Sequence, residues 1–225
     1  MKIISIFFQR KPYFGKLKKV FENSLLSCMP HVNYEIIQMK KPKKIDHKRD
    51  CAYAFLEAAK KVLIQRELTV VCDIDLLFLK PIFDIQKFNF DIAITVRKSI
   101  PYNTGLWVYN PTDRAKKFLD KWVIYTQTIM KNFSKYEQFS WDNGGIDQAS
   151  FSWLMKKNKN NEIATVKKLD CQEWNATQSE WNKIDNKTKI IHIKSKLRKA
   201  CFNKNFNFDE YEYLKPLVQI FKDFS

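Results

Sequence analysis

Hydrophobic and polar positions along this chain form two kinds of segment that alternate with each other. Short and nearly continuous apolar runs predict strands that are buried on both faces. The predicted strands are Lys2–Phe8, Tyr34–Gln38, Leu68–Cys72, Phe90–Val96, Gly105–Tyr109, Ile163–Leu169 and Thr188–Ile193. Longer segments in which apolar residues return every three or four positions predict helices. The predicted helices are Phe14–Ser27, Lys48–Leu63, a helix that opens at Asn110, Asp147–Lys157 and Asp209–Phe224.

The order of these segments predicts the fold class. Strands alternate with helices, which is typical of an α/β protein with a mostly parallel mixed sheet and helices on both faces. In open sheets of this kind, ligands bind beyond the carboxyl ends of the strands. Two helix starts are also expected, with Asp46 as the cap of Lys48–Leu63 and Asn110 as the cap before Pro111.

Length and composition fit one soluble domain. The chain has 225 residues, of which 45% are hydrophobic, enough for a sizeable core. The first apolar run has only six residues before Gln9, so we interpret it as a strand and not as a signal peptide. No apolar run approaches the about 20 residues that span a bilayer. The five cysteines are an odd number without a CxxC pair, which argues against disulfides and structural zinc and predicts a reducing, cytoplasmic location.

The formal net charge of +16 favours anionic partners. These include nucleic acid, an anionic membrane face and phosphorylated small molecules, and charge alone does not choose among them. Lysines on solvated faces explain the excess equally well. The aromatic C-terminal segment, which has lysines nearby, predicts either a peripheral contact with an anionic membrane surface or a helix packed on the core.

Asp73 and Asp75 follow the strand Leu68–Cys72 directly, at the edge where ligands are expected. Residues i and i+2 tend to project to the same side after a strand, so both carboxylates can approach one cation. Mg²⁺ and Mn²⁺ take one or two protein carboxylates and complete their shells with phosphate oxygens and water. The alternative is a turn in which one aspartate caps the backbone and the other is solvated. The apolar runs on both sides of the pair favour metal binding.

Four segments resemble motifs of the GT-A glycosyltransferases. Residues 70–84, VVCDIDLLFLKPIFD, resemble the run that binds the metal and the nucleotide sugar in that family. Asn103-Thr104-Gly105 resembles the start of the strand that follows. Gly144–Phe151 resembles the segment that opens a helix on the acceptor side, and Ile190–Ile193 resembles the strand whose histidine completes the metal shell. The motifs occur in the family's order and cover roughly residues 1–200.

The resemblance implies a role for each matching residue. The implied ligands of Mn²⁺, or of Mg²⁺, are Asp73, Asp75 and His192, and an imidazole suits Mn²⁺ better. The implied nucleotide and diphosphate contacts are Phe8, Lys48, Arg49, Asp73, Ile74, Lys194 and Lys196. The last two belong to a basic cluster that continues to Arg198 and Lys199. The implied sugar and acceptor contacts are Asn103, Gly105, Asp147, Gln148, Trp174 and Asn175.

Two aspartates are candidates for the catalytic carboxylate. Asp147 is the best candidate for a general base or an anchor of the acceptor hydroxyl, and its alternative role is that of a helix cap. A retaining reaction through a covalent intermediate needs a carboxylate beneath the sugar, which Asp142 or Asp147 can supply. An inverting reaction needs only a base.

The resemblance therefore implies a Rossmann-like, GT-A-type transferase domain at residues 1–200 and a helical tail at residues 201–225 that packs on it. The implied enzyme is a metal-dependent hexosyl- or pentosyltransferase. It moves a sugar from a nucleoside diphosphate sugar, with UDP favoured, to a glycan or glycolipid hydroxyl. Two alternatives stay open. One is a basic nucleic-acid-binding protein or metal-dependent nuclease, which is disfavoured because such sites usually gather more acidic residues than Asp73 and Asp75 and because RNA-binding aromatic motifs are missing. The other is a nucleotide-sugar-binding module without turnover.

Overall fold

The computed structural model describes residues 1–8, 13–40, 49–98 and 100–225. The strands in these ranges are β1 Lys2–Phe8, β2 Asn33–Met39, β3 Thr69–Cys72, β4 Leu76–Phe78, β5 Ile92–Val96, β6 Tyr102–Tyr109, β7 Val166–Asp170 and β8 Ile190–His192. The helices are α1 Tyr13–Cys28, α2 Asp50–Leu63, α3 Asp113–Lys131, α4 Phe133–Asp142, α5 Ile146–Lys157, α6 Cys171–Trp174, α7 Ser195–Phe202 and α8 Lys215–Asp223.

Six strands form one mixed sheet in the order β2-β1-β3-β6-β5-β7. The β1–β2, β1–β3 and β5–β7 pairs are parallel, whereas β6 is antiparallel to both of its neighbours. Five strands therefore run in one direction and β6 runs in the other. The predicted fold class, an α/β domain with a mostly parallel sheet, is confirmed.

Helices cover both faces of this sheet. Successive residues of a strand point to opposite faces, so neighbouring residues of β1 pack against different helices. In β1, Ile3 belongs to the core cluster that contains Phe21 of α1. The next residue, Ile4, belongs to the cluster that contains Phe55 of α2 and Trp122 of α3. All these side chains are at most 5% exposed. The continuous apolar runs in the sequence follow from this double burial.

A second, two-stranded ribbon lies beside the sheet and was only partly predicted. The short strand β4 pairs with β8 in antiparallel register, so that Leu76 lies opposite His192. The backbone N–H of Ile193 also donates to the carbonyl of Asp75 at 2.7 Å. The ribbon therefore fixes the end of β8 against the chain that leaves β3.

Two predicted helix starts differ from the structure. Helix α3 begins at Asp113, and the hydroxyl of Thr112 accepts a hydrogen bond from the N–H of Ala115. The prediction of Asn110 as the cap was wrong, because its side-chain amide instead donates to the carbonyl of Phe90 at 2.9 Å. Helix α2 begins at Asp50, and both Asp46 and Lys48 lie outside the described residues.

The C-terminal half holds elements that the sequence pattern did not predict. Helices α4 and α7 are short and bury only two residues each, which leaves little periodic signal. The terminal helix was predicted from Asp209, but α8 begins at Lys215 with Pro216 in its first turn. Phe221 of α8 packs in a cluster with Val20 of α1. Helix α7 runs across the predicted boundary at residue 200, and the division into two parts stays a prediction.

Candidate metal centre

The centre is built where β3 ends and the β4–β8 ribbon begins. Strand β3 ends at Cys72, so Asp73 and Asp75 lie at the carboxyl edge of the sheet. The ribbon register then places His192 opposite Leu76, the residue that follows Asp75. Asp75 and His192 are 117 positions apart in the chain and become neighbours only through this pairing.

The side chains of Asp73, Asp75 and His192 converge on one point. His192 Nε2 lies 3.1 Å from Asp75 Oδ1 and 3.4 Å from Asp73 Oδ2. One ligand atom from each residue lies within 4.8 Å of the other two. His192 is fully buried and Asp75 is 7% exposed, whereas the Asp73 side chain is 45% exposed. Two carboxylates and one imidazole, open to solvent on one side, fit a cation such as Mn²⁺.

Two basic side chains contact the carboxylates. The Arg198 guanidinium forms an ion pair with Asp75 Oδ2, and Lys194 Nζ lies 3.7 Å from Asp73 Oδ2. Burial raises the pKa of the Asp75 carboxyl, but His192, Arg198 and Lys194 more than offset burial and hold that pKa well below its usual range. Asp75 is therefore ionised at neutral pH.

The contact of Arg198 with Asp75 was not predicted, although Arg198 belongs to the predicted basic cluster. Lys194 precedes α7 and Arg198 follows four positions later, a spacing that brings two side chains to one side of a helix. Lys196 lies between them and points elsewhere, because its ammonium donates to the hydroxyl of Tyr211. The spacing of four was the signal in the sequence for Arg198.

Gly105 lies against the histidine. It is a buried residue of the reversed strand β6, and its carbonyl accepts from the N–H of Asp73 at 2.9 Å. A Cβ atom at position 105 would lie 2.5 Å from His192 Cε1. Asn103 is 1% exposed, and its Oδ1 accepts from the N–H of Gly105 at 3.0 Å. Their predicted sugar contacts stay predictions, and the contacts described here support the histidine.

Helix α5 brings Asp147 to the same edge. The helix follows Gly144 and Gly145, which have φ values of 82° and 146°, in the region that favours glycine. Asp147 is 6% exposed and accepts a hydrogen bond from the Thr104 hydroxyl. Burial, helped by the negative charge of Asp73, raises the pKa of the Asp147 carboxyl. A carboxylate with a raised pKa is a stronger base than an exposed aspartate.

Gln148 and Asp142, two other predicted site residues, have different surroundings. Gln148 Oε1 accepts from the guanidinium of Arg97 at 3.0 Å. Asp142 lies exposed at the end of α4 and accepts from the amide of Gln138 at 2.7 Å. Among the contacts of the described residues, none joins Asp142 to the three converging side chains.

Trp174 and Asn175 lie behind the centre. Trp174 is 3% exposed, and the ammonium of Lys189 lies 3.9 Å from the centre of its ring. Asn175 is fully buried, and its Oδ1 lies 2.9 Å from His192 Nδ1. The predicted contacts of both residues with a sugar or acceptor stay predictions. The hydrogen bond of Asn175 to His192 was not predicted.

The remaining predicted nucleotide contacts have these positions. Ile74 is 3% exposed and packs in the core, and Phe8 is 4% exposed at the end of β1. Arg49 precedes α2, with its guanidinium carbon 5.5 Å from the centre of the Phe133 ring. Lys48 lies outside the described residues. The nucleotide-binding roles of all four stay predictions.

This chain is an α/β protein, and solved structures that resemble its fold are glycosyltransferases. One is a glycosyltransferase involved in the glycosylation of the major capsid of PBCV-1, with a TM-score of 0.61 and 15% identity over 86% of this chain and 93% of that one. Another is the glycosyltransferase GlyE of Streptococcus pneumoniae TIGR4, with a TM-score of 0.58 and 12% identity over 99% of this chain. The apo form of GlyE gives a TM-score of 0.56.

This chain spans 63% of the GlyE chain. Comparison with models of protein families gave no match, and comparison with curated protein sequences gave none either. At identities this low, the likeness to the solved structures shows a shared fold.

Proposed function

We propose that this protein is a metal-dependent glycosyltransferase that moves a sugar from a nucleoside diphosphate sugar, with UDP favoured, to a glycan hydroxyl. One observation carries the proposal. The ligand atoms of Asp73, Asp75 and His192 lie within 4.8 Å of one another at the carboxyl edge of the sheet. The fold shared with solved glycosyltransferases supports the same activity.

The three side chains would hold Mn²⁺, or else Mg²⁺, by two carboxylates and one imidazole nitrogen. The bound cation would neutralise charge on the diphosphate as the sugar leaves. Asp73 is the more exposed carboxylate, so its second oxygen is free to meet the nucleotide side of the site. The imidazole makes Mn²⁺ the favoured cation.

Lys194 and Arg198 supply positive charge beside the leaving diphosphate. Both lie within reach of the two carboxylates, so they border the space where phosphate oxygens would complete the shell of the cation. Fixed cations stabilise charge that develops on a leaving group. A guanidinium can also grip two phosphate oxygens at once.

Asp147 is the proposed catalytic carboxylate. Its Oδ2 is engaged by the Thr104 hydroxyl, which leaves Oδ1 to accept the proton of the acceptor hydroxyl. The raised pKa makes its carboxylate a stronger base than an exposed aspartate. Asp142 stays a prediction from the sequence. If Asp147 acts as a base the anomeric configuration inverts, and if it attacks the sugar the configuration is retained; ¹H NMR of the product distinguishes the two.

The acceptor is proposed to be a glycan or glycolipid. Among the helices of the described ranges, none is both long enough and apolar enough to cross a bilayer. The charge of +16 is compatible with peripheral contact at an anionic membrane surface. That contact and the cytoplasmic location stay predictions.

Calorimetric titration with UDP and with GDP, in Mn²⁺ and then in EDTA, tests the proposal. We expect one nucleotide to bind in Mn²⁺ and to lose its affinity in EDTA. Asp75→Asn should lose this binding, and Asp185→Asn, which changes an exposed carboxylate, should keep it. No binding of either nucleotide in Mn²⁺, with salt-sensitive retention on DNA, would instead support a nucleic-acid-binding protein. Binding without hydrolysis or transfer would indicate a module without turnover.

A further inference from the structure

We infer that Asn175 is a positioning residue that sets the tautomer of His192, and that Thr95 orients Asn175. The inference deepens the proposed function, because it concerns how the histidine presents Nε2 to a cation. It rests on a chain of hydrogen bonds that runs through Asn103, Thr95, Asn175 and His192. Each member of the chain is at most 1% exposed.

The chain of hydrogen bonds has one direction because its first acceptor is a carbonyl. Thr95 Oγ1 lies 2.8 Å from the carbonyl oxygen of Asn103 and 3.5 Å from that of Leu106. Carbonyl oxygens only accept, so the single hydroxyl proton of Thr95 points toward them. The Thr95 oxygen can therefore act only as an acceptor toward its remaining neighbour.

That neighbour is the side-chain amide of Asn175. Asn175 Nδ2 lies 3.3 Å from Thr95 Oγ1, and an amide nitrogen donates where the hydroxyl accepts. The opposite end of the amide, Oδ1, then faces His192 Nδ1 at 2.9 Å. The thiol of Cys171 also donates to the Asn175 carbonyl at 2.9 Å, which holds the backbone of Asn175 in place.

An acceptor opposite Nδ1 requires a proton on Nδ1. In the neutral ring, Nε2 then carries the lone pair and points at Asp75 Oδ1 and Asp73 Oδ2. A lone pair and two carboxylate oxygens repel one another unless a proton or a metal cation lies among them. The reversed amide would place the Asn175 oxygen against the Thr95 oxygen, whose proton is already donated. Because the site is buried, water cannot repair such a mismatch, which makes the reversed orientation unfavourable.

The tautomer can be read directly by ¹⁵N NMR of the metal-free protein at pH 8. The chain has only three histidines, and His192→Gln identifies the signals of His192. We expect Nδ1 of His192 to carry a proton, because Asn175 Oδ1 accepts there. A His192 ring without a proton on Nδ1 would overturn the inference. His31→Gln and His47→Gln identify the signals of the other two histidines, so the signals of His192 are assigned even if His192→Gln fails to fold.

Variants of Asn175 then test whether its side-chain oxygen sets the tautomer of His192. Asn175→Leu removes the acceptor and should move the proton to Nε2, where a carboxylate accepts it. Asn175→Asp keeps an acceptor opposite Nδ1 and should keep the wild-type tautomer. Asn182→Leu changes an exposed asparagine in the same stretch and should have no effect. An unchanged tautomer in a folded Asn175→Leu variant would refute the role of Asn175.

Binding of Mn²⁺, followed by electron paramagnetic resonance, gives a second readout. We expect Asn175→Leu to weaken it roughly 10- to 100-fold, as is typical when the group that orients a metal-binding histidine is lost. Asn175→Asp keeps an acceptor opposite Nδ1, so its loss of Mn²⁺ affinity should be smaller than that of Asn175→Leu. Equal affinity of Asn175→Leu and wild type would contradict the inference. Neither measurement uses a nucleotide or an acceptor, so failure of sugar transfer would leave the tautomer result intact.

Discussion

Gly105 and the imidazole of His192 are packed so closely that no side chain fits at position 105. A Cβ atom there would lie 2.5 Å from His192 Cε1 and 3.0 Å from Nδ1. The ring cannot move away freely, because Nδ1 also lies within hydrogen-bonding distance of Asn175. The absence of a side chain in a strand, which ordinarily weakens it, here makes room for the histidine.

Gly105→Ala is therefore expected to displace the ring. The substitution should destabilise the fold by about 1–3 kcal/mol, as overpacking of a core does, and should weaken Mn²⁺ binding more than tenfold. Thermal unfolding and Mn²⁺ titration measure the two effects. The matched control is Gly15→Ala in α1, where a Cβ meets nothing within 4 Å. It should be neutral or stabilise by up to about 1 kcal/mol. Tight Mn²⁺ binding by Gly105→Ala would contradict the proposed ligand role of His192.

Arg198→Gln should change cation and nucleotide binding in opposite directions. The guanidinium is paired with Asp75 Oδ2, so a cation must compete with it for the same carboxylate. Without the guanidinium of Arg198, Mn²⁺ alone should bind about tenfold more tightly, a difference of about 1.4 kcal/mol. UDP in the presence of Mn²⁺ should bind more weakly, because the diphosphate loses a cationic partner.

Calorimetry with Mn²⁺ alone, and then with UDP in the presence of Mn²⁺, measures both affinities for Arg198→Gln. Lys199→Gln is the matched control, because Lys199 is the next residue of α7 and is exposed. It should leave both affinities unchanged. If Arg198→Gln weakens Mn²⁺ binding, Arg198 orders the site instead of competing for it.

Much of the fold was predictable from the sequence because burial leaves a continuous apolar run. Strand β1 was predicted with the bounds Lys2–Phe8 that the structure has. The β4–β8 ribbon was harder to predict, because β4 has only three residues, lies inside a longer apolar run and carries no periodic signal. Helix α4 was not predicted for a related reason: only two of its residues, Phe133 and Ser140, are buried.

The candidate site was predictable in its carboxylates and histidine but not in the groups that support them. Asp73 and Asp75 were named from their place directly after a buried strand, His192 was named through its resemblance to a motif, and the structure brings the three together. The bond between Thr95 and Asn175 joins residues 80 positions apart. A single polar residue inside an apolar strand does not reveal its partner, so only the folded chain shows this pairing.

The raised pKa of Asp147 predicts how stability changes with pH. Burial raises the pKa of this carboxyl in the folded chain, above the about 3.9 of an unfolded chain. Below that value both states are protonated and the carboxyl costs nothing. As the pH rises through the folded pKa, ionisation is more costly in the folded state and stability is lost.

Asp147→Asn does not titrate, so its melting temperature relative to wild type should rise between pH 4 and pH 8. Calorimetric melting at several pH values measures this trend. Asp185→Asn is a control of opposite sign. The backbone N–H of Lys187 lowers the pKa of Asp185, so this variant should lose stability relative to wild type as the pH rises through that lowered pKa to the about 3.9 of an unfolded chain, and the difference should stay level above about pH 5. A flat difference for Asp147→Asn would mean that the carboxyl has an ordinary pKa.

Thr104→Val should shift the pH dependence of sugar transfer. The Thr104 hydroxyl donates to Asp147 Oδ2 and lowers the pKa that burial raises. A base must be ionised, so the rate should fall below the pKa of Asp147. Without the hydroxyl, less opposes the effect of burial, so the pKa of Asp147 should rise further. The acid limb of kcat/KM should then move to higher pH, while the plateau rate changes little.

The measurement is a series of transfer rates from pH 4 to pH 9 with a saturating metal concentration. Thr128→Val is the matched control, because its hydroxyl bonds only the carbonyl of Ile124 within α3 among the described contacts; its acid limb should coincide with that of wild type. If Thr104→Val lowers the rate equally at every pH, Thr104 positions the carboxylate without tuning its protonation. If the acid limb moves to lower pH, a group other than Asp147 acts as the base. A shift to higher pH, absent from Thr128→Val, would identify the Asp147 carboxylate as the group that accepts the proton.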